Sequence, residues 1–123
     1  MPGNPVVHFE IGCEDGSRTR DFLSALFDWE ITGSEAGLAS QTGGDSPISG
    51  HIGELASEWG NYVIVYVQVD DLEASLTKAA ELGGKVLVPP VELAGQGSFA
   101  WIAAPEGNII GLWKPAWRTG IEE

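Results

Sequence analysis

The apolar pattern at the start of the chain predicts a strand followed by a helix. Residues 6–11 show the period-two alternation and the β-branched side chains of a strand. Phe22, Leu23, Leu26 and Phe27 then recur at helical spacing. This spacing predicts that the four side chains form the apolar face of an amphipathic helix.

Three short strands are predicted after that helix. Residues 29–32 form the first of them, and Gly33 opens a turn. Residues 38–42 and 48–52 flank the turn-forming segment 43–47, which indicates a hairpin. The first half of the chain is therefore predicted to have the order β-α-β-β-β.

The second half of the chain repeats this order. Its predicted elements are a strand over 62–69, a helix between Asp70 and Gly84, a strand over 85–88, and a hairpin of 98–103 with 108–113. Asp70 and Asp71 provide capping oxygens, and Gly83 is suited to end the helix. Pro89 and Pro90 are expected to end the following strand, because proline cannot donate a ladder hydrogen bond.

The repeat predicts an α+β fold in one domain over residues 1–123. The two β-α-β-β-β repeats cover about 5–53 and about 62–115, with a linker over 54–61. A sheet with one helix on its outer face leaves the other face apolar and uncovered. Two curved sheets that face each other would cover both and enclose a cavity. One continuous sheet is the alternative that periodicity leaves open.

Charge and cysteine content narrow the class of partner. Asp and Glu outnumber Lys and Arg by 18 to 6, for a net charge of −12. Such a surface repels phosphate backbones and anionic membranes, so we expect no nucleic-acid or membrane partner. Cys13 is the sole cysteine and no signal peptide is visible, so a cytoplasmic location is expected.

Several short motifs resemble one known superfamily in the order in which it uses them. They are residues 7–11 with Asp15, 27–30, 67–72, 83–86 and 105–108. Together they resemble the vicinal-oxygen-chelate superfamily of glyoxalases, bleomycin-resistance proteins and extradiol dioxygenases. Glycine-bearing strands around Gly50 and Gly111 are similar to the branch of actinobacterial antigens and "putative hydroxylases".

The resemblance implies a divalent metal held by one side chain from each of four strands. Carried over position by position, these ligands fall on His8, near Gly50 beside His51, on Ile64 and on Gly111. Isoleucine and glycine offer no ligand atom, so we expect no metal and no other cofactor.

His8 and Glu10 are the tentative catalytic residues. They share strand parity, so they are expected to face the same side of the sheet. They are either a structural pair or an acid–base couple. His51 is also a candidate ligand-binding residue, although its parity favours an outward position or a subunit interface.

The remaining candidate ligand-binding residues lie on the strands of the second repeat. Tyr66 shares parity with Ile64, Trp113 shares parity with Gly111, and Trp101 lies on the neighbouring strand. Large rings beside small residues suit an apolar or aromatic ligand, although the rings are also suited to fill a core.

These residues leave three hypotheses for function. The first is a metal-free cavity that binds a small molecule, as bleomycin-resistance proteins do. The second is a lyase, isomerase or dioxygenase-type enzyme with a degenerate or relocated metal site, so whether the protein is an enzyme stays open. The third is an interaction role. A homodimer is expected from the resemblance and from the prevalence of two-fold assemblies.

Overall fold

The computed structural model describes residues 3–34, 37–41, 43–44, 48–53 and 56–116. These described residues form eight strands and three helices, in an α+β arrangement that confirms the predicted class. In chain order the elements are β1 Val6–Gly12, α1 Gly16–Phe27, β2 Glu30–Ser34, β3 Gly37–Gln41, β4 Ser49–Gly53, α2 Ala56–Trp59, β5 Tyr62–Gln68, α3 Leu72–Glu81, β6 Lys85–Leu93, β7 Gly97–Ala103 and β8 Ile109–Pro115.

The chain divides into two compact units. The N-terminal unit holds Val7–Val65, and the C-terminal unit holds the segments before and after it. The expectation that two sheets face each other across a cavity stays a prediction, as does the single-domain boundary. Among the described helices, none is both long and apolar enough to cross a membrane.

In the N-terminal unit the strands lie in the order β2-β3-β4-β1. β1 pairs with β4 in parallel, and the other neighbours pair antiparallel. The predicted hairpin of β3 and β4 is confirmed, although positions 42 and 45–47 of its turn lie outside the described residues. Helix α1 begins at Asp15, whose side chain accepts the backbone N–H of Arg18 at 3.1 Å.

Helix α1 buries less of its apolar face than predicted. Leu23 is buried and packs with Cys13 and Ile52. Phe22, Leu26 and Phe27 are 63%, 58% and 52% exposed. Of the four residues on the predicted apolar face, Leu23 alone is therefore buried. Adjacent apolar positions on a helix span more than the narrow stripe that one sheet covers.

The C-terminal unit has the strand order β5-β8-β7-β6, in which the part of β5 from Tyr66 onward pairs in parallel with β8. Residues 62–65 of β5 belong to the N-terminal unit. Helix α3 packs Leu72 and Leu76 against Ala100 and Leu112 in the core of this unit. The predicted caps are confirmed: Asp71 accepts the backbone N–H of Ala74 at 3.0 Å. Gly83 follows the helix with a left-handed φ of 102°.

Strand β6 continues through the two prolines that were expected to end it. It runs over Lys85–Leu93, with register shifts on either side of Val88. The predicted end of this strand was therefore wrong. β6 is the last strand in the order, and an edge strand with a bulge tolerates residues that donate no ladder hydrogen bond.

Candidate functional site

The parallel register of β1 and β4 places polar side chains on one face of the N-terminal sheet. His8 lies opposite Ser49, and Glu10 lies opposite His51. Neighbouring Cα partners project to the same side of a sheet, so these four side chains share a face. Ile52, one residue further along β4, packs instead with Leu23 of α1. The polar face is thus the side of the sheet away from α1.

Four of the side chains on this side form a continuous network, which we call the His8–Tyr62 network. His8 Nε2 lies 2.8 Å from His51 Nδ1, and His51 Nε2 lies 3.2 Å from Glu10 Oε1. The Tyr62 hydroxyl donates a short hydrogen bond to Glu10 Oε2. At the other end of the network, His8 Nδ1 lies 3.4 Å from Ser49 Oγ.

The depth of burial differs along the network. Glu10 is only 3% exposed, whereas His8 and His51 are partly buried and Ser49 is exposed. A buried carboxylate is costly unless it is paired and hydrogen-bonded, and His51 and Tyr62 supply that pairing. The network therefore runs from a buried anion to a solvent-facing hydroxyl.

The hydrogen-bond chemistry gives the network a direction. A carboxylate accepts only, so Glu10 accepts from Tyr62 and from His51 Nε2–H. When His51 carries its proton on Nε2 alone, its Nδ1 accepts from His8 Nε2–H, and the lone pair of His8 on Nδ1 is directed at Ser49. In this tautomer His8 is the basic end of the network.

Two glycines make room for the tyrosine of this network. Gly12 and Gly53 are cross-strand partners at the end of β1 and β4. A methyl group on Gly12 would collide with the Tyr62 ring, and one on Gly53 would lie 2.8 Å from Glu10 Oε2. The bare backbone at these two positions lets the phenol reach the buried carboxylate.

Burial sets the protonation of the two ends of the network. It lowers the pKa of His8 to about 4, with the charge of His51 adding to the decrease and Glu10 partly opposing it. Burial also raises the pKa of Tyr62, and the hydrogen bond to Glu10 raises it further. At neutral pH both groups are therefore uncharged, and Tyr62 remains a donor.

The lowered pKa of His8 predicts a stability that depends on pH. Between about pH 6.5 and 4, His8 takes up a proton in the unfolded chain and not in the folded protein. The unfolded state then binds more protons, so the free energy of unfolding falls as the pH falls through this window. Urea denaturation at pH 7 and pH 4.5 should show a larger loss for the wild type than for His8→Gln. An equal loss in both proteins would contradict this assignment.

His51 lies on the polar face, which corrects the expectation that it faces outward or an interface. Its ring stacks on His8 with centroids 5.0 Å apart, and it bonds to both His8 and Glu10. The resemblance implies a metal ligand near Gly50. Gly50 lies on the opposite side of β4, beneath the Phe9 ring. The parallel register with β1 fixes this parity, and that register is not visible in the sequence.

The donor set does not fit the four-strand metal site that the resemblance implies. Both ring nitrogens of His51 are engaged within the network, and the His8–His51 contact of 2.8 Å is a hydrogen bond. Ile64 supplies no ligand atom on β5, and neither does Gly111 on β8. Over the described ranges, no group of three or more His, Cys, Asp or Glu side chains is arranged to hold a metal ion.

The C-terminal unit carries an aromatic cluster on the side of its sheet away from α3. Tyr66, Trp101 and Trp113 share this side with Gly111; strand parity predicted this for Trp113, and the register places Tyr66 and Trp101 opposite Gly111. Trp101 is 2% exposed and donates from Nε1 to the Tyr66 hydroxyl at 2.8 Å. The Tyr66 ring covers Gly111, which explains the glycine at that position.

Phe99 completes this cluster and was not predicted. Its ring meets Tyr66 edge-on with centroids 6.3 Å apart, and it lies opposite Trp113 in the register. Tyr66 and Trp101 are buried, whereas Phe99 and Trp113 are partly exposed. The ligand-binding roles of these aromatic residues and of Ile64, which is buried on β5, stay predictions.

Sequence reasoning also missed Tyr62 and Ser49. Tyr62 lies two residues before Ile64 on β5, so the parity argument could have placed it on the same side. Ser49 lies two residues before His51 and shares its side for the same reason. The glycines at positions 12 and 53 were a further signal of a close side-chain approach.

Comparisons with known proteins agree with this fold. The chain is 36% identical over 73 residues to "Putative glyoxylase CFP32" of Mycobacterium tuberculosis, which covers 59% of this chain and 28% of that protein. It is 26% identical over 139 aligned positions to "Anthracycline biosynthesis protein DnrV" of Streptomyces peucetius, covering 98% of this chain and 50% of that protein. No protein-family model matches.

Solved structures show the same architecture. Methylmalonyl-CoA epimerase from Mycobacterium tuberculosis superposes with a TM-score of 0.63 at 14% identity, over 95% of this chain and 93% of that one. These relatives and structural neighbours belong to the vicinal-oxygen-chelate superfamily, the one that the motifs of this chain resemble. It spans half or less of the length of the two curated relatives.

Proposed function

We propose that this protein binds a small organic molecule that carries an acidic hydroxyl, such as a phenol or an enol, without a resident metal. The binding site is the polar face of the N-terminal sheet, with His8 as the primary contact. One observation carries the proposal: His8 lies at the partly exposed end of the His8–Tyr62 network, with Nε2 2.8 Å from His51 Nδ1 and Nδ1 3.4 Å from the exposed Ser49 Oγ.

The lowered pKa of His8 supports a ligand that donates a hydrogen bond. A neutral imidazole accepts from a hydroxyl at neutral pH and does not attract anions as an imidazolium would. The net charge of −12 likewise favours neutral or cationic ligands over anionic ones. His51 and Glu10 hold His8 in the required tautomer, and Ile64 provides an apolar contact on β5.

One comparison favours an aromatic ligand. The relative DnrV is named for anthracycline biosynthesis, and anthracyclines are planar, hydroxylated aromatic molecules.

The C-terminal unit carries a candidate ligand surface of its own. We propose that Trp113, with Tyr66, Trp101 and Gly111 as the base of the aromatic cluster, can stack on a planar ring there.

Calorimetric titration with a dihydroxyanthraquinone tests this proposal, after the protein has been dialysed against a chelator. We expect saturable binding that survives chelation and that weakens about three- to tenfold in His8→Ala, the loss of one hydrogen bond. The dimethyl ether of the same anthraquinone is the matched control, because it lacks the donor; it should bind wild type and variant alike. Equal affinity of the two compounds for the wild type would overturn the assigned role of His8.

A proton-transfer enzyme, a lyase or an isomerase, is the second candidate. The observation that favours it is the continuous path from His8 through His51 to the buried Glu10, which suits an acid–base couple. A dioxygenase-type enzyme would require a relocated metal. Retention of nearly one metal ion per chain during purification would make a metal-dependent enzyme the leading hypothesis.

We also propose that the protein is a cytoplasmic homodimer with no nucleic-acid or membrane partner. The exposed Phe22, Leu26 and Phe27 give α1 an apolar surface of the kind that subunit contacts cover.

A further inference from the structure

Ser49 stands at the outer end of the His8–Tyr62 network. It is the cross-strand partner of His8 in the parallel register, and its Oγ lies 3.4 Å from His8 Nδ1. This distance is longer than an ideal hydrogen bond and falls within the looser range that nucleophile–base pairs show before a substrate binds. Ser49 is exposed, so an incoming reagent can reach its hydroxyl.

We propose that Ser49 is a nucleophile that accepts an acyl group from activated esters or thioesters, with His8 as its general base. Such chemistry needs a hydroxyl nucleophile, a base within reach of it, and a group that orients the base. Ser49 supplies the hydroxyl and His8 the base. His51 and Glu10 together fill the orienting role. This activity goes beyond ligand binding and does not depend on it.

His51 can take over the positive charge that His8 would otherwise carry after it accepts a proton. A partly buried His8 resists carrying a positive charge, which limits it as a final proton acceptor. When His8 receives a proton at Nδ1, it can pass the proton on Nε2 across 2.8 Å to His51. The charge then rests on His51, 3.2 Å from the Glu10 carboxylate. The network therefore accepts a proton without leaving a charge on His8.

The reaction uses water as its only co-reactant. The Ser49 oxygen bonds to the carbonyl carbon while its proton enters the network at His8 Nδ1. The bond from that carbon to the leaving oxygen or sulfur then breaks, and the leaving group takes the proton from His8 and departs as a phenol or thiol. Water attacks the acyl-serine, gives its proton to His8 and releases the carboxylic acid. Return of that proton restores the Ser49 hydroxyl.

The chemistry of the base sets the substrate class. Because His8 is a weak base, it activates the Ser49 hydroxyl only modestly. The substrate must therefore have a leaving group of low basicity. Aryl esters and thioesters meet this requirement, whereas amides and alkyl esters do not. An uncharged acyl group is favoured by the net charge of −12.

The test is acylation of the whole chain by 4-nitrophenyl acetate. We expect a burst of nitrophenolate, a mass gain of one acetyl group, and assignment of that group to Ser49 by peptide mapping. Ser49→Ala should lose the burst. Ser17→Ala, which removes another exposed serine at the start of α1, should keep it. His8→Gln should slow acylation by about a hundredfold or more with an unchanged circular dichroism spectrum.

Other outcomes would overturn the inference. Acetyl groups found on lysines or on the amino terminus, with a burst that survives in Ser49→Ala, would show that Ser49 is no nucleophile. The absence of any acylation above the spontaneous reaction would do the same. Binding of the dihydroxyanthraquinone is measured separately on the wild type, so failure of this inference and failure of the proposed function give different results.

Discussion

Replacement of Glu10 by alanine is expected to lower the free energy of unfolding by about 3–5 kcal/mol, because it removes two hydrogen bonds to a buried charged group, each worth about 1.5–3 kcal/mol. Glu10 is 3% exposed, and it accepts hydrogen bonds from both His51 and Tyr62. The variant removes both acceptor oxygens and leaves a space beneath them. Urea denaturation at pH 7, monitored by circular dichroism, measures the loss.

Two matched variants separate the causes of that loss. Glu14→Ala removes an exposed glutamate before α1 and should change the free energy of unfolding by less than about 0.5 kcal/mol. Tyr62→Phe removes one donor to Glu10 and keeps the ring over Gly12, so it should cost about 1–3 kcal/mol. If Glu10→Ala were as stable as Glu14→Ala, the buried network would contribute nothing to the fold.

Replacement of Trp101 by alanine is expected to cost about 3–5 kcal/mol, because it removes a large, fully buried side chain. Trp101 is 2% exposed and is one of the largest fully buried side chains among the described residues. Its indole also donates to the Tyr66 hydroxyl, so the variant loosens the base of the aromatic cluster.

Trp101→Phe is the control for this prediction. It keeps most of the ring volume and removes the indole N–H, so its cost should be well below that of alanine. The midpoint temperature of thermal unfolding should be highest for the wild type, lower for Trp101→Phe and lowest for Trp101→Ala. A Trp101→Ala variant within about 1 kcal/mol of the wild type would show that this position is not a core position.

Local patterns predicted most of the elements and the sides of several strands. Period-two spacing placed Tyr66 with Ile64, Trp113 with Gly111, and His8 with Glu10, because parity within a strand depends only on the strand itself. Capping by Asp71 followed from the same local chemistry.

The network itself depends on contacts that local patterns do not contain. His8 and His51 are 43 positions apart, and the register between β1 and β4 brings their rings together. A shift of one residue in that register would move His51 to the other side of the sheet. The strand through Pro89 and Pro90 escaped prediction for a related reason: its tolerance of proline depends on its place at the edge.

The most direct test of a metal-free ligand site is one titration series on untagged protein. Dihydroxyanthraquinone is titrated into wild type and His8→Ala, with and without prior chelation, and the metal content of each sample is measured by plasma mass spectrometry. We expect binding that chelation leaves unchanged, a clear loss in His8→Ala, and metal far below one ion per chain. Binding that disappears on chelation and returns with one equivalent of a divalent metal would contradict this account.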